Sequence, residues 1–268
     1  MKWVLPAILA PCLLFRTDNC PAALIALYEF NGNTTDSVRG AGGAGAVTGS
    51  AAYAAGVTGQ AFSFNGSTYF RAPVAGAGLS AFSFSAWVKF NSLTTWGTIV
   101  KNWGQLPGTF HLGLESTSAR ISNYMGLSSG TPSVFSGNVS TNTWYHVGVA
   151  YGSGSQSLYI NGVQVASGVA TGTINNRYSD MTMGVKLNDA QTAPANDPGW
   201  LNGYLDDVAF FDNKLTATEM MSVYTSGATT GGSIADAYAV PEPGSASLVA
   251  LGLATLLLRK RRCRRSAV

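Results

Sequence analysis

From Leu24 onward, apolar and polar residues take turns along the chain. In FSFSAWVKF, Phe82, Phe84, Ala86, Val88 and Phe90 occupy every second position, with Ser83, Ser85, Trp87 and Lys89 between them. A strand there puts the first set on one face and the second on the other. TWYHVGVAYG alternates likewise through Tyr145, Val147, Val149 and Tyr151. Similar runs, LIALYEF, GTIVKNW, TFHLGLE, ARISNYM, MTMGVKL and GYLDDVAFF, are separated by Gly, Ser, Asn and Thr. Together they predict about ten to twelve strands in one antiparallel all-β sandwich over residues 24–227. Asn65-Gly66 and Asn161-Gly162 stand where tight hairpins are expected. One short C-terminal helix follows: Thr216 and Glu219 form a capping box, the run continues to Tyr224, and Gly227 is the expected stop. Met220, Met221 and Tyr224 are expected to cover one edge of the sandwich.

The two ends break this pattern. After Met1-Lys2 comes the apolar WVLPAILAPCLLF, then the small residues of NCPA. Residues 1–23 are thus expected to be a signal peptide, cut by signal peptidase after Ala22 or Ala23, with a lipoprotein signal at LAPC as the alternative. At the far end, Ala246 to Leu258 is an apolar run of 13 residues. As a short transmembrane helix it spans about 20 Å, less than the ~30 Å hydrocarbon core. Basic residues follow it at once and should remain cytoplasmic. The stretch VPEPGSASLVALGLATLLLRKRRCRR, with Val240, Pro241, Glu242 and Pro243 at its head, resembles the PEP-CTERM sorting signal over residues 240–265. That resemblance implies a Gram-negative bacterium, an exosortase as processing partner, an inner-membrane intermediate, and delivery to the cell surface or extracellular matrix. An ordinary single-span tail is the alternative. Residues 228–239 read as a flexible linker.

Charge follows the same division. The net +3 is the sum of +1 over residues 1–23, −3 over residues 24–240 (eight basic, eleven acidic) and +5 over residues 241–268. The middle is mildly acidic, which excludes nucleic-acid binding by a basic patch. Cys12, Cys20 and Cys263 all lie in the end pieces, so the domain has no thiol nucleophile, redox motif or cysteine zinc site.

Several pieces taken together, LIALYEFNGNTTDSV, GQAFSFNGSTYFRAP, FSFSAWVKF, TWYHVGVAYGSGSQSLYINGVQVAS and LNGYLDDVAFFDNKLTATEMMSVY, resemble the laminin G-like, concanavalin A-like jelly roll. Such sandwiches host lectins, adhesion modules, hydrolases and lyases, so the resemblance leaves function to the site. It implies a structural calcium ion at the rim, with Asp36 and Asp206 or Asp207 as ligands. The competing reading has Asp36 capping a turn and the adjacent pair, on opposite faces of a strand, bonding backbone amides.

Catalytic groups are scarce. Glu29, Glu115, Glu219 and Glu242 are the only glutamates, and no two acids stand at i and i+2 on a strand, the pattern that retaining glycosidases with this fold characteristically present. His146 matches a structural family position, and His111 reads as a lone strand histidine. Ser128 in GLSSG lacks the helix that a nucleophile elbow needs. The domain is therefore expected to be non-catalytic. Trp96, Trp103 and Trp200 fall in or beside loops, whereas Trp87 and Trp144 sit at core-like strand positions. With Asn188, Asp189, Asn196 and Asp197 they form a candidate sugar site, the alternative being that these rings pack on the sandwich edge. The expected role is carbohydrate or surface-protein adhesion; the alternatives are a passive matrix body without a ligand and a glycan-active hydrolase or lyase.

Overall fold

The computed structural model describes residues 22–116, 119–230 and 234. Apart from Ala22 and Ala23, the expected signal peptide lies outside the described residues, as do eight of the twelve residues of the expected linker and the whole sorting segment from Val240 on; the first three linker residues instead belong to the helix Ala217–Thr230, and Ile234 is buried. Among the described residues no helix is long and apolar enough to cross a membrane.

Alternation becomes strands, fifteen among the described residues, paired antiparallel in two sheets. In spatial order one sheet is β13 (Val163–Val169), β12 (Ser155–Ile160), β11 (Trp144–Gly152), β6 (Phe82–Phe90), β15 (Asn202–Phe211), β4 (Gln60–Asn65) and β3 (Tyr53–Ala55), with β1 (Leu24–Tyr28) also on β15. The other is β10 (Ser133–Asn138), β9 (Arg120–Met125), β8 (Phe110–Leu114), β7 (Thr98–Asn102), β14 (Asp180–Met183), β5 (Tyr69–Pro73) and β2 (Ala46–Thr48). Strands β2, β3 and β10 escape the sequence reading, being three residues long or rich in Ser and Gly. Phe82, Phe84, Ala86, Val88 and Phe90 all point between the sheets, where Phe84 meets Phe110 of the facing sheet with ring centres 4.7 Å apart. Burying such rings supplies most of the stabilisation of a sandwich core.

The outer face of the eight-stranded sheet is covered by α1 (Ala217–Thr230). Its capping box forms as expected: Glu219 N–H donates to Thr216 Oγ1 at 3.2 Å, and Thr216 N–H donates to Glu219 Oε2 at 2.7 Å. Gly227 does not stop the helix. It lies inside α1 against Trp87, where a Cβ would come within 2.7 Å of the indole nitrogen. Met220 is buried against Gly148, and the Tyr224 ring lies tilted against Trp87 and His146 with centres 5.5 and 5.8 Å away. The helix therefore lies across a sheet face rather than along an edge, and Trp87 is buried beneath it rather than between the sheets.

The two Asn-Gly pairs part company. Asn161 and Gly162, at φ 50° and 77°, close the tight hairpin from β12 to β13, with Ile160 opposite Val163. Asn65-Gly66 closes no hairpin, because β4 and β5 belong to different sheets. Asn65 instead accepts from Ser67 N–H and Thr68 N–H, both at 3.0 Å, and turns the chain from one layer to the other.

Candidate functional site

The three aspartates first. Asp36 is fully buried and surrounded by donors: Leu27, Val38 and Arg39 N–H reach Oδ1 at 2.9 to 3.2 Å, and the Arg39 guanidinium pairs with Oδ2. A carboxylate so occupied acts as the turn-capping reading expects, holding the loop after β1.

Asp206 and Asp207 differ. On one side of β15, Asn202–Leu205 pair with β4, while Val208–Phe211 pair with β1. Between these partners lies a notch, and a β-bulge with Asp207 at φ 46° fills it. The bulge interrupts the strict alternation expected of the strand, and both aspartates are fully buried. Asp206 Oδ2 accepts from Val57 and Thr58 N–H at 2.7 and 3.1 Å. Asp206 Oδ1, both Asp207 oxygens and Thr58 Oγ1 have no hydrogen-bond partner. Burial pushes the Asp206 carboxyl up to about 7, against the opposing pull of the Thr58 and Val57 amides. Burial, then the charges of Asp206 and Glu29, push Asp207 up to about 8. Orphaned hard oxygens around two carboxylates suit calcium, which takes six to eight oxygen ligands. Among the described residues no cluster of three or more His, Cys, Asp or Glu could hold a metal, so backbone carbonyls or water must complete any such shell.

The second assembly lies on the outer face of the seven-stranded sheet. Register aligns Tyr124 (β9), His111 (β8), Lys101 (β7), Thr182 (β14) and Arg71 (β5) in one row across five strands. His111 is 6% exposed and forms the floor of a cup. Trp96, Trp103 and Tyr124, each half-buried, stand around it with ring centres 5.4, 5.7 and 5.4 Å away. Phe135 of β10 extends the aromatic surface at 6.0 Å from Tyr124, with the Arg120 guanidinium 4.7 Å over its ring. Trp96 has a left-handed backbone, φ 59°, and its carbonyl accepts from the buried Lys101 ammonium at 2.9 Å.

Of the sequence-predicted site residues, Trp96 and Trp103 join the cup, and Asp197 reaches its neighbourhood by pairing with the buried Lys186. Trp200 packs on Tyr69 with ring centres 6.1 Å apart, beside Val185 and Leu187. Asn188 accepts Thr192 N–H to hold a turn, Asp189 ties the Leu106 amide and the Tyr178 hydroxyl together, and Asn196 is exposed. Tyr124, Phe135, His111 and Lys101 were missed as a group. The signal for Tyr124 is the alternation of ARISNYM, where Arg120, Ser122 and Tyr124 share a face; the register that aligns it with His111 is not written in either strand. Trp144 is another correction: it is half-buried on the outer face of the eight-stranded sheet, where Lys89 lies between its ring and that of Tyr204. His146 is wholly buried between Trp87 and Tyr224, and burial draws it down to about 3, so it stays neutral in a structural position. Ser128 sits in a turn and accepts Thr173 N–H at 3.0 Å.

Residues 64–221 match the family model described as the concanavalin A-like lectin/glucanases superfamily. The chain belongs to this superfamily. Among solved structures, domain 4 of AbnA, a GH43 extracellular arabinanase from Geobacillus stearothermophilus in complex with arabinotriose, is 26% identical with a TM-score of 0.59, over 75% of this chain and 97% of that one. The binding domain of Paraclostridial Mosquitocidal Protein 1 is 16% identical (TM-score 0.59), over 76% of this chain and 52% of that one. The binding domain of botulinum neurotoxin DC in complex with SialylT is 15% identical (TM-score 0.60), over 78% of this chain and 52% of that one. The chain spans about half the length of these toxin domains, and at such identity they share with it the superfamily fold alone. No curated protein sequence matches the chain. Within the superfamily sandwich, the cup lies on the sheet face opposite the one that α1 covers.

Proposed function

We propose that this domain is a non-catalytic binding module for carbohydrate, gripping its ligand in the cup of Trp96, Trp103 and Tyr124. One observation carries the reading: three half-buried aromatic rings converge on one histidine on an outer sheet face. Such rings stack on the C–H faces of sugars while polar groups at the rim fix orientation. The similarity to an arabinanase domain that holds arabinotriose favours the same class of ligand. The expected result is saturable binding on a glycan array that falls about tenfold or more in Trp96→Ala and Tyr124→Ala, and survives Trp200→Ala. A silent array with folded protein would remove the proposal.

Two further parts belong to this reading. A calcium ion held by Asp206 and Asp207 would neutralise the notch in β15 and lock β1 to β4; Asp36 is not among its ligands. Export completes the picture: signal peptidase and exosortase act on the two ends, and the domain works at the cell surface or in the extracellular matrix of a Gram-negative bacterium. Intact mass of the protein from its native host tests this, since both ends should be missing. A retained basic tail in the inner membrane would leave the tail as an ordinary anchor.

A further inference from the structure

Charge on the floor of the cup is unbalanced. On this face Arg71 pairs with Asp180, Arg120 with Glu115, and Lys186 with Asp197. Lys101 is fully buried and, among the described residues, has no ion-pair partner; its ammonium is held by the Trp96 carbonyl. Beside it in the register, His111 Nε2 is buried without a hydrogen-bond partner. Lys101, Lys186 and His111 therefore crowd together, and among the described residues Asp197 is the carboxylate that acts on Lys101, itself half exposed to water. An uncompensated buried cation is costly in a monomer with no ligand. Without a ligand that cost falls on protonation: burial first, then the neighbouring lysine charges and against the pull of Asp197 on Lys101, lowers both groups well below their usual ranges and favours their neutral forms, and a bound anion would restore their charge.

We infer that the sugar unit bound in the cup is acidic, its carboxylate displacing the Trp96 and Trp103 rings that cover His111 Nε2 and the Lys101 ammonium and pairing with both groups. This rests on the carbohydrate reading above and narrows it to uronate- or sialate-type glycans. A neutral hydroxyl could satisfy His111 Nε2, but it leaves Lys101 without a counter-charge. A carboxylate satisfies both, and charge-assisted hydrogen bonds beneath rings that exclude water are the stronger kind. Trp96 links the two halves of the site: its ring is a wall of the cup, and its carbonyl is the atom the ligand's carboxylate would replace or join as a partner of Lys101.

The test uses the full chain on an array of acidic oligosaccharides, uronate and sialylated, each printed beside its carboxyl-reduced counterpart. The acidic member of at least one pair should bind about tenfold or more tightly than its reduced form. That ratio should collapse toward one in His111→Phe, which keeps an aromatic ring, and in Lys101→Met, which keeps a straight apolar stem. Equal binding of the two members, or an acid preference that survives both substitutions, overturns the inference while leaving the carbohydrate reading standing. Silence across acidic and reduced sugars alike overturns the carbohydrate reading, and this inference with it.

Discussion

Asp36 and Asp207 show how one residue type serves opposite ends. Three amides and a guanidinium converge on Asp36, so removing its carboxylate leaves the Leu27 amide unpaired in the interior and strips the loop amides and Arg39 of their shared partner, Arg39 keeping Tyr28 Oη and the Pro73 carbonyl. Asp36→Ala should lower the unfolding free energy by about 3 to 5 kcal/mol in denaturant titration; a loss below about 1 kcal/mol would mean that the loop finds other partners. Around Asp207, burial and the charges of Asp206 and Glu29 outweigh the one neighbour that favours its charge, the Thr58 side chain. Because its folded pKa is raised to about 8, the native state holds a proton that the unfolded chain releases near pH 4. Its contribution to stability is whole below about pH 4 and declines as pH rises to about 8. Lys101, His111 and His146 titrate with the opposite sign, so the comparison must be a difference: in chelator, Asp207→Asn should gain stability relative to wild type as pH climbs from about 4 to 8. Calcium should reverse the order at pH 8 by stabilising wild type and not the variant. If calcium leaves both melting curves unmoved, protons alone satisfy the pair. Sequence named these aspartates but placed the adjacent two on opposite faces, since a bulge at a change of partner strand leaves no mark in GYLDDVAFF.

Elements were legible where a local rule sets their shape. The capping box of α1 and the Asn161-Gly162 hairpin need only neighbours in the chain, and both form. Asn65-Gly66 uses the same dipeptide for a different purpose, because the next strand is claimed by the other sheet. Gly227 was misread for a related reason: its meaning lies in Trp87, 140 positions earlier, and no local rule carries that information. Two substitutions separate these origins. Thr216→Ala removes a cap and should cost about 1 kcal/mol. Gly227→Val drives a branched side chain into the Trp87 indole, so it should lift α1 from the sheet and expose Trp87 and His146, read as a red shift in tryptophan fluorescence. Unchanged fluorescence would show that the helix shifts to absorb the added bulk. The aromatic cup was half legible for the same physical reason: Trp96 and Trp103 announce themselves in loops, whereas Tyr124 and His111 become neighbours only through the register of β8 and β9.

For the whole molecule, the order of strands in space departs far from their order in the chain. In the eight-stranded sheet β15 lies between β6 on one side and β4 and β1 on the other; in the seven-stranded sheet β14 joins β7 to β5. A chain ending at Ala195 lacks β15 and α1, and it should show no cooperative thermal transition. A sharp transition in that fragment would mean that the earlier strands pair without their centre. Read as a timetable, this topology has a further meaning. Synthesis delivers the middle of the main sheet near the end, so a nascent chain has flanking strands with no centre to join them until residue 211 has been made. Placing the keystone strand last therefore delays closure of the sandwich until most of the domain has left the ribosome.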